Sequence, residues 1–360
     1  MSSASGRRKA PSRRRLGAFA LVAVAIAVAV GGAAAASDPT PSWSVSAYQL
    51  HSELGVSAQE RLATAGWLGG SFATHTGESV RVLVSEAYPD SPAVGQRWAE
   101  FFASLVHGSE LSLVTVYVLT PSEMRLFCGP YALGCYGGNE LAFIGETFAG
   151  VEPEEVAAHE YGHHVAANRL NSPWLAVAWG PKRWASAANI CARSMLGTAF
   201  PGNEQEHYEL NPGEGFAEVF RVLNELKTGA TSFSWPLVDS SFSPSSEALQ
   251  AAELDVVSPW SALVTQVFRT VFTTKGKKVW TVPLRTPFDG ILDVAVTLPK
   301  NGLHEVVLFD SARKTTLQKG LWSSTTSKRI TTTICGERSL VVRVTQKGGL
   351  GKVSVVVSTP

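Results

Sequence analysis

Hydrophobic and polar positions follow a mixed pattern over roughly the first 260 residues of the chain. Apolar residues at helical spacing predict helices over 58–68, 92–106 and 248–254, and the apolar stretch 174–199 predicts further helix. Alternating or β-branched runs predict strands over 81–86, 113–119 and 140–144. This order predicts a small α+β lobe in which 140–144 is the edge strand, beside a cleft for an extended peptide.

A different pattern begins near residue 261. Short strand-like runs are separated by Gly, Asn, Lys and Ser turns, and they cover 279–284, 291–298, 304–309, 329–334, 340–345 and 352–358. Regular short strands of this kind predict a β-sandwich. The expected fold class is therefore α+β, with a lobe over 37–260 followed by an all-β sandwich over 261–360.

The first 36 residues have the three parts of a secretory signal. Six basic residues end at Arg15, an apolar run covers 16–30, and Ala34-Ala35-Ala36 provides an A-x-A cleavage site before Ser37. We therefore predict a signal peptide over 1–36 and a secreted mature chain. The alternative is an N-terminal membrane anchor, because residues 16–36 are uncharged and a span needs about 20 apolar residues.

The formal net charge of +1 hides an uneven distribution. Residues 37–260 hold 10 basic and 25 acidic side chains, whereas residues 261–360 hold 15 basic and 5 acidic side chains. The basic sandwich is expected either to dock on an anionic partner such as a cell-envelope polymer, or to complement its own acidic neighbour. We expect no nucleic-acid partner, and membrane contact only through an uncleaved N-terminal segment.

The four cysteines are expected to be paired, because the chain reads as exported. Cys128 and Cys135 flank a six-residue loop and are expected to close it as a local disulfide. Cys191 and Cys335 would then form a long-range bridge, although four cysteines allow three connectivities. No C-x-x-C pair is present, which disfavours zinc binding by the cysteines.

The pattern His-Glu-x-x-His occurs once, with its histidines at His159 and His163. It lies on a predicted helix, because Pro153 suits a first turn and Asn171-Ser172-Pro173 stops the pattern. Residues four apart lie on one helix face, so the two histidines can bind one metal ion. Glu160 can then act as a general base toward a water molecule.

Two imidazoles do not complete a metal site, so a third ligand is needed. The metzincin pattern would require Gly at 166 and His at 169, whereas the chain has Ala166 and Arg169. Glu214 is the better candidate, because it lies on a second predicted helix and a glycine on each side allows close approach. Two His and one Glu leave a fourth position open, as a catalytic zinc requires. His164 lies outside the pattern and is expected at the surface or in support of a ligand.

The His-Glu-x-x-His motif, together with Glu-Gly-Phe-Ala-Glu-Val-Phe-Arg over 214–221, resembles the gluzincin metallopeptidases. The resemblance is closest to the family of the anthrax lethal factor catalytic domain, and it covers about 140–225. It implies a zincin-like lobe with peptidase activity and a Zn²⁺ cofactor. It also implies that Glu214 binds the zinc and that Glu218 orients a ligand histidine.

The same resemblance implies a tyrosine, shortly before the second helix, that hydrogen-bonds the oxyanion. Tyr208 lies in the right neighbourhood and is the candidate for this role. Tyr161 and His207 are its rivals.

The C-terminal segment is similar to the pre-peptidase C-terminal sandwich of secreted bacterial peptidases, through strand patterns at 291–296 and 340–344. The acidic signature of those domains is reduced here to Asp289, Asp293 and Asp310, which leaves calcium binding open.

The leading hypothesis is a secreted zinc metalloendopeptidase that hydrolyses a protein or peptide substrate, with Glu160 as general base. A hypothesis from another class is an envelope-binding or adhesion protein in which the basic sandwich acts and the zinc site is not essential.

Overall fold

A computed structural model describes residues 54–232, 234–235, 238–323 and 328–360, which all belong to one unit of the chain, Ser44–Pro360. The predicted signal peptide over 1–36 lies outside these residues. Within the described ranges, helices and several sheets confirm an α+β fold. None of the helices in these ranges is long and apolar enough to cross a membrane.

The N-terminal lobe is built on a five-stranded sheet. Its strands are β1 (Leu68–Ala73), β2 (Ser79–Val84), β3 (Thr115–Leu119), β4 (Gly134–Gly137) and β5 (Glu140–Ile144). Their order across the sheet is β1-β2-β3-β5-β4. Strands β2, β3 and β5 run parallel, while β1 and β4 pair antiparallel at the two edges.

The edge strand differs from the prediction. Strand β5 lies inside the sheet between β3 and β4, so the edge position expected for 140–144 is wrong. The chain before β5 folds back as a hairpin, because Gly138 and Asn139 both adopt positive φ, 58° and 72°, as a tight two-residue turn requires. Strand β4 therefore covers β5 and forms the edge.

The lobe contains nine described α-helices. They are α1 (Val56–Thr64), α2 (Ser91–Ser104), α3 (Pro121–Phe127), α4 (Pro153–Ala167), α5 (Ala176–Trp179), α6 (Lys182–Ala187), α7 (Ile190–Met195), α8 (Pro212–Lys227) and α9 (Ser246–Val257). The stretch 174–199 forms three short helices rather than one. Gly180 and Asn189 interrupt it with positive φ, 76° and 55°.

Helix α4 lies in the interior of the lobe, where it packs against α8 and against strands β4 and β5. All of its residues from Val156 to Ala166 are buried. Gly162 allows α8 to approach closely, because a methyl group added there would lie 2.8 Å from the Cα of Ala217. The two helices that carry the candidate metal ligands are therefore neighbours in the core.

The C-terminal part consists of two four-stranded antiparallel sheets, ordered β10-β9-β12-β7 and β11-β8-β13-β6. The strands are β6 (Val264–Phe272), β7 (Val279–Arg285), β8 (Gly290–Thr297), β9 (Leu303–Asp310), β10 (Thr315–Ser323), β11 (Lys328–Ile334), β12 (Ser339–Gly348) and β13 (Gly351–Thr359). Inward-facing side chains from both sheets form one hydrophobic core, so this part is a β-sandwich. Strands β6 and β10 are missing from the predicted set because most of their positions are exposed, which weakens the alternation.

Two disulfides pair the four cysteines as expected, Cys128 with Cys135 and Cys191 with Cys335. The second bond joins the lobe to the sandwich. Beside it, the buried Lys182 ammonium donates to the backbone oxygens of Ser172, at 2.6 Å, and Asp289, at 2.9 Å. Burial lowers the pKa of Lys182 to about 8. This junction attaches the sandwich by the loops at one end of its strands.

Candidate metal centre

Three side chains predicted as metal ligands meet in the interior of the lobe. The Nε2 atoms of His159 and His163 lie 3.2 Å apart on α4. From α8, Glu214 places Oε2 3.2 Å from Nε2 of His159 and Oε1 3.4 Å from Nε2 of His163. All three side chains are buried.

These separations fit a metal ion. Zinc binds nitrogen and oxygen ligands at roughly 2.0–2.1 Å, so two ligand atoms at tetrahedral positions lie about 3.3 Å apart. The three measured distances, 3.2, 3.2 and 3.4 Å, bracket that value. His159, His163 and Glu214 could therefore hold one metal ion, and they form the only such group of His, Cys, Asp and Glu within the described ranges.

The electrostatic surroundings of the site favour a cation. Burial alone would lower the pKa of His159, but the hydrogen bond to Glu214 and the carboxylates of Glu214, Glu218 and Glu160 outweigh it and raise that pKa. Several carboxylates around a buried imidazole therefore concentrate negative charge where the ligand atoms converge.

Glu160 is fully buried on the turn between the two histidines. Its carboxylate lies against Gly134 in the edge strand β4. A methyl group added at Gly134 would come within 2.5 Å of Oε1 and 2.8 Å of Cδ of Glu160. Glycine at this position therefore leaves the space that the carboxylate occupies.

Glu218 lies one helical turn after Glu214 on α8, with its Oε1 3.9 Å from Nδ1 of His159. Both atoms are buried, and neither makes a hydrogen bond within the part of the chain that is described. The other oxygen of Glu218 accepts a 2.6 Å hydrogen bond from Nε of Arg221. Glu218 thus lies beside His159 without a hydrogen bond to it, and its role in orienting this ligand stays a prediction.

Arg221 is a site residue that sequence reasoning missed. Its guanidinium is buried, pairs with Glu225 as well as Glu218, and donates to the backbone oxygen of Ser234 at 2.7 Å. Arg221 thereby fixes the carboxylate of Glu218, which lies beside Nδ1 of His159. Its spacing was the signal in the sequence. Arg221 follows Glu218 by three residues and lies on the helix face that carries Glu214 and Glu218. An ordinary surface arginine is not expected on a face that carries metal ligands.

The three candidates for the oxyanion role occupy different environments. Tyr208 is buried and its hydroxyl donates to Oε2 of Glu214 at 2.7 Å. The Tyr161 ring packs in the core against Phe102 and Phe220, and burial raises its pKa well above the usual value. The His207 ring stacks on Phe200 with a centroid distance of 3.8 Å. The structure thus brings Tyr208 to the ligand group.

The surface position expected for His164 is wrong, because α4 is enclosed along its length and this residue is fully buried. Its Nε2 lies 2.9 Å from the backbone oxygen of Glu110, and its Nδ1 lies 3.2 Å from the Tyr136 hydroxyl. Burial lowers the pKa of His164. His164 therefore contacts Tyr136, which lines the cleft described below.

A cleft of about 450 Å³ opens beside the ligand group. One wall is the β4–β5 hairpin, the floor includes His163, and the far side comes from α5 and the loop before α8. The lining residues are Tyr136, Gly137, Gly138, Asn139, His163, Ala167, Val177, Ala178, Gly202 and Glu204. The cleft thus lies beside an edge strand, although β4 takes the place predicted for 140–144.

The three acidic residues of the sandwich that were considered as calcium ligands each form an ion pair with an arginine. Asp289 lies 2.7 Å from Arg338 and Asp293 lies 3.1 Å from Arg329. Asp310 accepts two hydrogen bonds from backbone N–H groups of its own turn. Within the described residues, these carboxylates are not gathered into one group of possible metal ligands.

Comparison with known proteins finds little likeness. No protein-family model matches the chain, and no curated protein matches it. Among solved structures, the Yersinia pseudotuberculosis-derived mitogen matches 27% of this chain and 87% of its own, with 7% identity and a TM-score of 0.22. Dimeric latent PorU from Porphyromonas gingivalis matches 28% of this chain and 13% of its own, with 12% identity and a TM-score of 0.17. The Tobacco streak virus coat protein matches 29% of this chain and 90% of its own, with 9% identity and a TM-score of 0.19. Scores this low carry no argument about this chain.

Proposed function

We propose that the chain is a secreted zinc metalloendopeptidase with a zincin-like lobe of the gluzincin type. The observation that carries the proposal is the position of Glu214, whose carboxylate reaches both imidazoles at distances that suit tetrahedral coordination. Two imidazoles and one carboxylate are a ligand set typical of catalytic zinc, because they leave a fourth position open. Zinc held there would act as a Lewis acid toward a carbonyl oxygen and lower the pKa of a water in the fourth position toward ~7.

Glu160 is proposed as the general base. It lies on the same helix as both histidines. Its carboxylate packs against the edge strand β4, in the space left by the missing side chain of Gly134. A carboxylate so placed can take the proton of the attacking water and pass it to the leaving amine nitrogen. The Tyr208 hydroxyl, 2.7 Å from Glu214, is near enough to the ligand group to donate to a developing oxyanion.

The geometry of β4 supports an extended peptide as substrate. Ile144 donates to the Leu133 oxygen on the inner side of β4, so alternate residues such as Gly134 direct their peptide groups to the outer edge. The outer oxygen of Tyr136 accepts from the Leu54 N–H at 3.0 Å, so this edge already hydrogen-bonds to neighbouring backbone. A peptide added beside Gly134 would lie next to Glu160.

Export of the chain is supported by its covalent structure. Both disulfides require an oxidising compartment to form and persist. We propose that the chain acts outside the cytoplasm, after removal of residues 1–36.

The test is the substitution Glu160→Gln, with Glu154→Gln as a matched control in the first turn of the same helix. Glu154 is partly exposed and pairs with Arg97, away from the ligand group. We expect Glu160→Gln to keep its metal and lose hydrolysis of casein by roughly 10²–10⁴-fold, while the control keeps both. Undiminished cleavage by Glu160→Gln would reject the mechanism.

A further inference from the structure

Six lysines occupy one end of the β-sandwich. Lys275, Lys277 and Lys278 lie in the β6–β7 turn, Lys300 lies in the β8–β9 turn, and Lys347 and Lys352 flank the β12–β13 turn. All six are exposed. Residues 273–278, 299–302 and 346–352 contain no acidic and no aromatic side chain. We call this surface the lysine end.

The three turns touch one another, so the lysine end is one surface. The Gln346 N–H donates to the Lys278 oxygen at 2.8 Å, which joins the first turn to the third. A methyl group at Gly349 would lie 2.5 Å from the Cα of Gly302, and one at Gly351 would lie 3.0 Å from Pro299. The third turn therefore packs directly on the second.

The lysine end does not face the acidic lobe. Strand β7 starts at Val279, beside the lysines, and ends at Arg285, a rise of about 20 Å. The next loop holds Asp289, whose backbone oxygen accepts a hydrogen bond from the Lys182 ammonium of the lobe. The lysines therefore lie at the far end of the strands from the junction, and complementarity to the neighbouring lobe does not account for them.

The acidic residues of the sandwich form their ion pairs elsewhere, although Glu305 also interacts electrostatically with Lys347. Each of the five forms an ion pair with a basic residue outside the lysine end, and Asp310 and Glu337 share one arginine. The pairs are Asp289–Arg338, Asp293–Arg329, Glu305–Lys319, Asp310–Arg313 and Glu337–Arg313. No ion pair involves any of the six lysines within the described ranges. Most of the positive charge of this surface is thus directed to solvent.

We propose that the lysine end docks on an anionic lipid surface. Lysine acts as a point charge on a flexible stem, which suits a layer of phosphates better than one shaped phosphate site, where arginine is preferred. The absence of aromatic side chains disfavours single-stranded nucleic acid, which binds by stacking. Leu350, at the tip of the third turn, is 49% exposed and flanked by Gly349 and Gly351. A projecting apolar side chain ringed by lysines fits the interface of an anionic bilayer.

The test compares two variants with equal charge change. The first carries Lys275→Gln, Lys300→Gln and Lys347→Gln, one substitution in each turn. The control carries Arg269→Gln, Arg285→Gln and Arg343→Gln, at exposed positions on the sheet strands for which no ion pair is seen among the described residues. The purified full chain is sedimented with vesicles of phosphatidylcholine and phosphatidylglycerol, and with vesicles of phosphatidylcholine alone.

A lysine near an anionic membrane contributes roughly fivefold in partitioning. We therefore expect the lysine variant to bind anionic vesicles on the order of a hundredfold more weakly, the arginine control to bind nearly as the parent does, and added salt to release the parent. Casein hydrolysis and the thermal midpoint report the integrity of both variants.

Three outcomes would overturn the proposal. Equal binding to neutral vesicles would assign retention to the N-terminal apolar segment. Equal losses in both variants would show that net charge rather than the lysine end decides binding. Binding to soluble polyphosphate or duplex DNA without binding to anionic vesicles would assign the surface to a linear polyanion instead of a lipid.

Discussion

Substitution of Gly134 by alanine should displace the proposed general base, Glu160, and leave the metal ligands in place. The added methyl group would lie 2.5 Å from Oε1 and 2.6 Å from Cγ of Glu160. Ordinary van der Waals contact begins at 3.4 Å, so the Glu160 carboxylate must move by roughly 0.9 Å. The three nearest atoms all belong to the Glu160 side chain, so that side chain gives way before the backbone does.

The expected effect follows from that displacement. Misplacing a catalytic group by about 1 Å costs roughly 10²-fold in rate, and overpacking costs about 1–3 kcal/mol of stability. Gly134→Ala should therefore hydrolyse a fluorogenic peptide or casein roughly 10²-fold more slowly while it retains its metal. Rates are compared at saturating substrate, with metal content measured on the same samples.

Gly95→Ala is the matched control. A methyl group at Gly95 would lie 2.3 Å from Cζ of Phe72, a comparable clash with a side chain in a different part of the lobe. It should lose similar stability and keep its activity. If Gly134→Ala remained fully active, or if it lost metal in proportion to activity, the proposed position of Glu160 would be refuted.

Three further predictions test the supporting groups. Glu218→Gln, which weakens the support of His159, should reduce metal affinity by roughly 10–100-fold in a chelator competition, and unchanged affinity would remove its assigned role. Tyr208→Phe should keep the metal and lower kcat by roughly 10²-fold with little change in KM, whereas loss of the metal would make it a support for the ligand carboxylate only. Replacing Cys191 and Cys335 by serine should lower the free energy of unfolding by up to about 5 kcal/mol, because the bond closes a sequence separation of 144 residues. Denaturant unfolding measures this, and a loss below about 1 kcal/mol would contradict it.

Local spacing explains why the candidate ligands could be predicted from sequence. His159 and His163 share a helix face by geometry alone, and the carboxylate of Glu214 is marked by a glycine on each side. Several strands of the sandwich could also be predicted from sequence, because buried and more exposed side chains alternate along β8, β12 and β13. These features depend on residues close together in the chain.

Features that depend on distant segments were not predictable in the same way. Strand β4 is only four residues, Gly-Cys-Tyr-Gly, and its edge position depends on pairing with β5. The spacing of Arg221 marks it as unusual on its helix face, but only the fold buries it and pairs it with Glu218. The lysine end combines three turns that only the strand register brings together. Tertiary packing decides each of these.

The most direct test of the metal centre is the metal content of the purified chain, measured with and without Glu214→Ala after equilibration with zinc. We expect one zinc per parent chain, and a large loss of zinc affinity when the carboxylate that spans both imidazoles is removed. A parent chain that binds no transition metal, or a Glu214→Ala variant that binds zinc as tightly as the parent, would contradict it.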